Sequence, residues 1–127
     1  MKLLLDTHAL LWWLADDARL GAPARAAIRN AEAVFISSVS AFEMAQKHRL
    51  GKLDLPAGLL DGLESVLAAE AFTPLSVTLS HATLAGRLLH AHRDPFDRLL
   101  IAQGLLEQLP LVSGDAVFDQ FGVSRVW

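Results

Sequence analysis

The sequence predicts a three-layer α/β domain with a mostly parallel central sheet of about four to five short strands. Short apolar runs alternate along the chain with longer stretches whose apolar residues repeat at helical spacing. This alternation is typical of βαβ units, in which helices cover both faces of a parallel sheet. The chain has 127 residues, of which 53% are hydrophobic and 20% charged. That composition suits one substantial core, so we expect a single domain over residues 1–127.

The first predicted strand is Lys2–Leu5, a short apolar run that ends at an acidic residue. A helical pattern follows over about His8–Leu14. A glycine and a proline then interrupt the pattern, and Ala24–Ala31 predicts a second short helix. The chain therefore begins with one strand and two helices.

The next strand is Ala33–Ser37, whose sequence AVFIS has the β-branched and aromatic content of a buried strand. Ser38 or Ser40 is a suitable N-cap for a helix that runs to about Leu50. Gly51 then supplies the usual stop signal. This segment predicts a second β–α unit.

Pro56 predicts the start of a further helix, because proline is favoured in the first helical turn. Phe72–Val77 is the next strand candidate, weakened by Pro74, which cannot donate a backbone hydrogen bond. The apolar positions that repeat at helical spacing in the predicted helix are Leu59, Leu60, Leu63, Val66 and Leu67.

The last third of the chain predicts two helices followed by two short strands. The helices cover about Leu79–His90 and Phe96–Gln108, where apolar residues repeat every three or four positions. The strands are Leu111–Ser113 and, at the end of the sequence, Ser124–Trp127.

Composition and charge exclude several classes of protein. The sequence has no cysteine, which excludes disulfides, thiolate catalysis and cysteine-ligated zinc, and is compatible with the cytoplasmic location that we expect. No apolar run approaches the roughly 20 residues that span a bilayer, so we expect no membrane association. The net charge of −3 argues against a simple nucleic-acid binder, which is usually basic. A polyanionic ligand would have to be held by something other than net charge, for which a bound metal cation is the obvious candidate.

Two acidic residues follow predicted strands. In an open parallel sheet, ligands bind beyond the carboxyl ends of the strands. Asp6 comes directly after the first strand, and Asp115 comes two residues after Leu111–Ser113. Each also has a structural explanation, because Asp is a good helix N-cap and is common in turns such as the one after Ser113. Position alone leaves both interpretations open.

Two other acids lie within apolar helix faces. Glu43 shares a face with Val39 and Leu50, and Asp97 shares one with Leu100. A buried carboxylate needs a cation, a hydrogen-bond network or a raised pKa. The alternative for Glu43 is a place at the edge of the apolar stripe, from which its carboxylate reaches solvent.

Asp94 has the strongest structural explanation of the acids. It precedes Pro95 and stands three residues before Asp97. An N-cap, a proline at the first helical position and an acid at the third make a favourable helix start. For Asp94 alone, capping is therefore the favoured interpretation.

Taken together, the four other acids suggest one metal site. Carboxylates gathered at one point repel each other unless a divalent cation compensates their charge. Oxygen ligands alone favour hard cations such as Mg²⁺ or Mn²⁺. Such a site suits phosphodiester hydrolysis, because a bound metal activates water and stabilises the leaving oxygen.

Four segments, in order along the chain, resemble PIN-domain nucleases, most closely the VapC toxins of type II toxin–antitoxin pairs. They span nearly the whole length and read LLLDTHALLWWL, ISSVSAFEMAQKHRLGKL, DPFDRLLIAQ and LVSGDAVFDQFGV. The resemblance implies a PIN-like fold. It also implies Mg²⁺-dependent (or Mn²⁺-dependent) endonucleolytic cleavage of RNA by activated water, leaving 3′-hydroxyl and 5′-phosphate ends, with a cognate antitoxin as partner and a homodimeric assembly.

The resemblance also assigns residues. Asp94 matches an additional metal-binding acid of the DPFDR-type branch. Ser113 stands where the family often has threonine, and we expect it and Thr7 to hydrogen-bond at the site. The acids assigned to both catalysis and metal binding are Asp6, Glu43, Asp97 and Asp115.

A basic cluster at the end of the Glu43 helix contains Lys47, Arg49 and Lys52. These side chains are candidates for contacts with RNA phosphates. The alternative is that they stand there because cations are favoured near a helix C-terminus.

Two consecutive tryptophans, Trp12 and Trp13, can stack on bases, but we expect them to pack in the interior or at a protein interface.

Several rival functions remain. One is a PIN nuclease that processes RNA without an antitoxin, and another is a binding module that keeps the fold without catalysis. A receiver domain or a haloacid-dehalogenase-like phosphatase is disfavoured, because both require a lysine from a later part of the sheet and none follows Lys52. The phosphatase also requires a second Asp where this chain has His8. A histidine metal site is disfavoured because His90 and His92 would not share a helix face.

Overall fold

The computed structural model describes residues 1–90 and 92–127. Its centre is a five-stranded sheet in which all neighbouring pairs are parallel. The strands are β1 (Lys2–Leu5), β2 (Ala33–Ser37), β3 (Phe72–Leu75), β4 (Leu111–Val112) and β5 (Arg125–Val126). Their order across the sheet is β3-β2-β1-β4-β5. The strand order reverses at β1, because β2 and β3 lie on one side of it and the chain then crosses back to place β4 and β5 on the other.

Helices connect the strands. They are α1 (Thr7–Leu14), α2 (Ala22–Asn30), α3 (Ser38–Arg49), α4 (Leu63–Ala69), α5 (Leu79–Arg87) and α6 (Pro95–Leu106), with a 3₁₀ helix over Ala116–Phe121. None of the helices among the described residues is long and apolar enough to cross a membrane.

Two hydrophobic cores lie on opposite faces of the sheet. Side chains of a strand alternate between faces, and in β1 Leu3 and Leu5 pack into one core while Leu4 packs into the other. The first core includes Leu10 from α1, and the second includes Leu100 from α6. The predicted three-layer α/β/α architecture with a parallel sheet is therefore confirmed.

Some predicted boundaries are wrong. The helix predicted from Pro56 begins only at Leu63, because Gly58 adopts a φ of +80° and the chain turns there before α4. The strand predicted over Phe72–Val77 ends at Leu75 and lies at an edge of the sheet, where Pro74 is tolerated.

The end of α5 also differs from the prediction. The helix stops at Arg87 instead of His90, because Leu88 leaves the helical conformation with ψ 126°. The Leu88 carbonyl group instead accepts a hydrogen bond of 2.6 Å from the guanidinium group of Arg98.

Candidate active site

Asp6 lies at the carboxyl end of β1, where the chain turns into α1. Its backbone N–H continues the sheet by donating to the Val112 carbonyl of β4 at 3.0 Å. Its Oδ1 accepts a hydrogen bond from the Ala9 N–H at 2.8 Å, which makes Asp6 the N-cap of α1. Asp6 is therefore a helix N-cap through Oδ1, and this hydrogen bond holds the carboxylate at the end of β1.

Ser113 links Asp6 with Asp115. Its side chain is fully buried directly after β4, and its hydroxyl lies beside the Asp6 carboxylate, where it lowers the pKa of Asp6. The same oxygen accepts the Asp115 N–H at 3.0 Å. Asp115 itself is exposed and caps the 3₁₀ helix, with Oδ1 accepting the Val117 N–H at 3.0 Å. The parallel pairing of β1 with β4 brings these three residues together.

Glu43 projects from α3 into the protein and is only 6% exposed. Thr7 donates its hydroxyl to Glu43 Oε1 at 2.5 Å and lies 3.0 Å from the Ser40 hydroxyl. The other carboxylate oxygen, Oε2, accepts a hydrogen bond from the Lys47 ammonium group. Glu43 therefore lies inward, as its place in the apolar stripe predicts, and a cation and a hydroxyl compensate its burial.

Asp97 and Asp94 stand at the start of α6. Asp94 Oδ1 accepts the backbone N–H groups of Phe96 and Asp97 at 2.9 and 3.2 Å, so it caps the helix. Asp97 Oδ2 lies 2.8 Å from His92 Nε2. Burial raises the pKa of Asp97 to about 6, a hydrogen bond from His92 opposes the shift, and the negative charges of Asp94 and Glu43 add to it.

The acids also influence each other through charge. Burial raises the pKa of Asp6, hydrogen bonds from Ser113 and the Ala9 N–H oppose this, and the charge of Glu43 adds a smaller increase. The hydrogen bond to Glu43 raises the pKa of Lys47, and the charges of Asp94 and Asp97 raise it further. The charge of Glu43 therefore acts on both Asp6 and Asp97, and Lys47 supplies positive charge beside Glu43, Asp94 and Asp97.

The structure brings the acids together in two groups. Asp6 and Asp115 line one cleft at the ends of β1 and β4. Glu43, Asp94 and Asp97 lie around the start of α6 and the inner face of α3, outside the lining of that cleft. The charge of Glu43 acts on both Asp6 and Asp97, so Glu43 connects the groups.

The chemistry of these side chains fits a hard divalent cation. All donors are carboxylate oxygens, and the raised pKa values of Asp6 and Asp97 reflect the cost of burying negative charge, which a cation would offset. Among residues 1–90 and 92–127, no group of three or more acidic or histidine side chains converges on a common point suited to a metal ion. Binding a cation therefore requires side-chain movement, including release of Glu43 by Lys47.

Sequence reasoning missed two residues beside Asp97. The sequence argued against a metal site that includes His92, but it did not predict that His92 contacts Asp97. Arg98 donates to the backbone carbonyl groups of Ala85, Leu88 and His92 at 2.9, 2.6 and 2.9 Å. Its signal in the sequence was an arginine in the first turns of a helix that is otherwise apolar. Arg98 thereby positions the backbone that carries His92.

The basic cluster is divided. The ammonium group of Lys47 turns inward to Glu43, whereas Arg49 and Lys52 are exposed at the end of α3. Arg49 lies in the last turn of the helix, where the helix dipole also favours a cation.

Comparisons with known proteins agree with this fold. The chain is 32% identical over 113 residues to Ribonuclease VapC22 of Mycobacterium tuberculosis (strain ATCC 25618 / H37Rv), an alignment that covers 88% of this chain and 85% of that protein. Solved structures that share the fold include VapBC2 from Rickettsia felis bound to a DNA fragment from its promoter (TM-score 0.68, 14% identity, 100% of both chains) and FitAcB from Neisseria gonorrhoeae (TM-score 0.63, 18% identity, 98% of this chain and 96% of that chain).

The sequence model of the PIN domain family matches residues 3–123. That range includes every acid of the candidate site and extends from β1 to the end of the 3₁₀ helix. The chain therefore belongs to the PIN domain family.

Proposed function

We propose that this chain is a Mg²⁺-dependent or Mn²⁺-dependent endoribonuclease, and that it is the toxin of a VapBC-type pair. The observation that carries the proposal is that Thr7, which directly follows Asp6, donates a hydrogen bond to the buried Glu43, whose charge also acts on the partly buried Asp97. The likeness to Ribonuclease VapC22 supports RNA as the substrate.

In the proposed site, some residues would bind the metal and others would position the carboxylates. A divalent cation, when bound, would supply activation of water and stabilisation of negative charge on the scissile phosphodiester. Thr7 holds the Glu43 carboxylate through a 2.5 Å hydrogen bond, and the Ser113 hydroxyl favours the ionised form of Asp6 by lowering its pKa. The residues that would bind the metal are Asp6, Glu43, Asp97 and Asp115, with Asp94 as an additional ligand.

Positive side chains near α3 assist RNA binding. Lys47 lies among the acids, so it is available to a phosphate once Glu43 binds a metal. Arg49 and Lys52 are exposed at the end of the same helix, where they would contact phosphates farther along the strand. A local basic surface of this kind compensates for a net charge of −3.

The proposed protein partners are a cognate antitoxin and a second copy of the chain. Exposed apolar side chains that contact one another are candidates for such an interface. Phe42, at 62% exposed, contacts Phe96 with ring centroids 5.7 Å apart. The other strongly exposed apolar side chains are Met1, Leu79 and Leu89.

The test is cleavage of defined RNAs by the purified chain with Mg²⁺, with Mn²⁺ and with a chelator. We expect cleavage that needs the metal, products with 5′-phosphate ends, and loss of activity in Asp6→Asn. The matched control is Asp61→Asn, because Asp61 is exposed and lies outside the acidic site. Cleavage that survives the chelator or Asp6→Asn would contradict the metal mechanism.

The toxin assignment has a separate test. Coexpression with the product of a small adjoining reading frame is expected to yield a complex that lacks ribonuclease activity. Metal-dependent cleavage without such a partner would instead favour an RNA-processing nuclease. A folded chain that binds RNA but never cuts it would favour a binding module.

A further inference from the structure

A cleft of about 610 Å³ opens beside the strand ends that carry Asp6 and Asp115. Its volume lies within the range of roughly 300–1,000 Å³ that is typical of small-molecule sites. The acids occupy one part of its wall, and aromatic side chains occupy another. The aromatic and basic lining residues are His8, Trp12, Arg19 and Trp127.

The aromatic rings form a connected group centred on Trp12. The centroid of its ring lies 5.6 Å from that of His8 and 5.7 Å from that of Trp127. The guanidinium carbon of Arg19 lies over the Trp12 ring, 5.0 Å from its centroid, a favourable cation–π arrangement. Trp12 and Trp127 are both only partly buried, so part of each indole remains accessible.

Two glycines leave room for the indole of Trp127. A Cβ atom added at Gly114 would lie 3.0 Å from Trp127 Cε2, closer than normal packing allows. A Cβ added at Gly21 would lie 3.3 Å from Trp127 Nε1. The ring therefore lies close to the backbone at both glycines, and Gly114 directly precedes Asp115. This fixes an aromatic surface beside the acidic residues.

The charges in the cleft favour an uncharged, flat ligand group. Arg19 is already paired with Asp17, with Arg19 Nη2 and Asp17 Oδ2 2.7 Å apart, so much of its charge is neutralised. Asp6 and Asp115 repel a phosphate in the part of the cleft that lies away from a bound cation. A nucleobase has no net charge, and its face stacks well on tryptophan.

We propose that this cleft binds an unpaired nucleobase of the RNA strand, next to the phosphodiester that is cut. The base would stack against the Trp12 and Trp127 rings. The inference rests on the proposed ribonuclease function. Because a base inside a duplex is not free to enter such a cleft, the site selects single-stranded RNA and contributes to the choice of cleavage position.

The chain offers a matched control for Trp12. Trp13 is the next residue of α1, but it packs on another side of the helix. Its Nε1–H donates to Glu70 at 3.3 Å, and its ring contacts Phe72 with centroids 6.2 Å apart. Trp13→Leu therefore removes an indole of equal size without changing the cleft.

The first experiment measures the affinity of an end-labelled single-stranded RNA by fluorescence anisotropy, in Ca²⁺ under conditions checked to leave the RNA intact. We expect Trp12→Leu to weaken binding about tenfold. Trp13→Leu is expected to bind like the unsubstituted chain, and Trp12→Phe to retain most of the affinity because an aromatic face remains. Thermal unfolding of each variant verifies that it is folded.

The second experiment maps the ends that each variant produces from one RNA in Mg²⁺. We expect Trp12→Leu to lose preference for the base beside the cut, and Trp13→Leu to keep it. Equal affinity and equal cut positions for Trp12→Leu and Trp13→Leu would overturn the base site while leaving the ribonuclease proposal intact. If RNA binding depends on Trp12 but no cleavage is detected, the ribonuclease proposal is overturned and the base-binding site is supported.

Two further results would also overturn the base site. One is equal affinity for a duplex and for a single strand of the same sequence. The other is a Trp12→Leu variant with unchanged RNA affinity but weakened antitoxin binding, which would make the cleft a docking site for protein.

Discussion

Lys47 forms an ion pair with Glu43, one turn earlier on α3, with the Glu43 side chain 8% exposed and the Lys47 side chain 33% exposed. The same ammonium group faces Asp94 and Asp97, whose charges raise the pKa of Lys47. A positive charge of the protein itself thus stabilises the acidic site. Any cation bound by Glu43 must therefore compete with Lys47.

The first prediction concerns Lys47→Met. In a chelator we expect this variant to lose about 1–3 kcal/mol of stability, because Glu43 is left buried without its cation. The loss is smaller than for a fully buried pair because solvent screens the partly exposed Lys47. With Mg²⁺ the deficit should disappear, and the Mg²⁺ concentration that gives half of the stabilisation should fall. Thermal unfolding across a Mg²⁺ titration measures both effects.

Lys52→Met is the matched control for that experiment. Lys52 is exposed beyond the end of α3, so its substitution should change neither the stability nor the Mg²⁺ dependence. Weaker Mg²⁺ binding by Lys47→Met than by the unsubstituted chain would show that Lys47 does not compete for Glu43.

The second prediction concerns the pH dependence of stability through Asp97. The pKa of Asp97 is about 6 in the folded chain, against a model-compound value of 3.8. The folded state therefore binds this proton more tightly than the unfolded state. Without metal, the contribution of Asp97 to the free energy of unfolding should fall as the pH rises from about 4 to about 6, by at most about 3 kcal/mol.

Asp97→Asn tests that assignment. In a chelator at neutral pH we expect the variant to be more stable than the unsubstituted chain, with the advantage shrinking as the pH is lowered from 6 toward 4. In Mg²⁺ the order should reverse, because only the carboxylate binds the cation. Urea unfolding at several pH values gives the result, and an advantage that is independent of pH would refute the assignment.

The third prediction concerns Thr7. Thr7→Val keeps the shape of the side chain but leaves Glu43 Oε1 without its 2.5 Å hydrogen bond. We expect a loss of about 1–3 kcal/mol in stability and weaker Mg²⁺ binding measured by titration calorimetry. Thr7→Ser, which retains the hydroxyl, should recover most of both. If Thr7→Ser is as impaired as Thr7→Val, the methyl group and its packing matter instead.

The fourth prediction concerns Arg98. Its guanidinium donates to the carbonyl groups of Leu88, His90 and His92, so Arg98→Gln should lose about 2–4 kcal/mol of stability in urea unfolding. It should also lower ribonuclease activity, because His92 no longer holds Asp97. Arg87→Gln is the control, since Arg87 is exposed in the last turn of α5. Similar losses in both variants would argue against a specific role for Arg98.

The sequence predicts the parts of the site that depend on local patterns. An apolar run that ends in Asp6 indicates a strand end, and the helical stripe around Glu43 indicates an inward carboxylate. Both residues lie where these patterns place them. The same holds for Asp94, whose capping of α6 follows from the order of residues at the helix start.

Other parts of the site depend on contacts between distant segments. Ser113 lies beside Asp6 because β4 pairs with β1, and no local pattern specifies strand order. The contact of His92 with Asp97 depends on backbone that Arg98 holds. Trp12 and Trp13 both pack against the core, as expected. Trp12 also lines the cleft beside Asp6, which the sequence does not predict because packing of separate segments decides which part of a short helix stays uncovered.

Anomalous diffraction from crystals soaked in Mn²⁺ tests the central claim most directly. We predict a peak within about 2.2 Å of carboxylate oxygens from Asp6 and from at least two of Glu43, Asp97 and Asp115, with Lys47 turned away from Glu43. A peak bound only by acids elsewhere on the surface, or no peak at these carboxylates at saturating Mn²⁺, would contradict a metal site built from them.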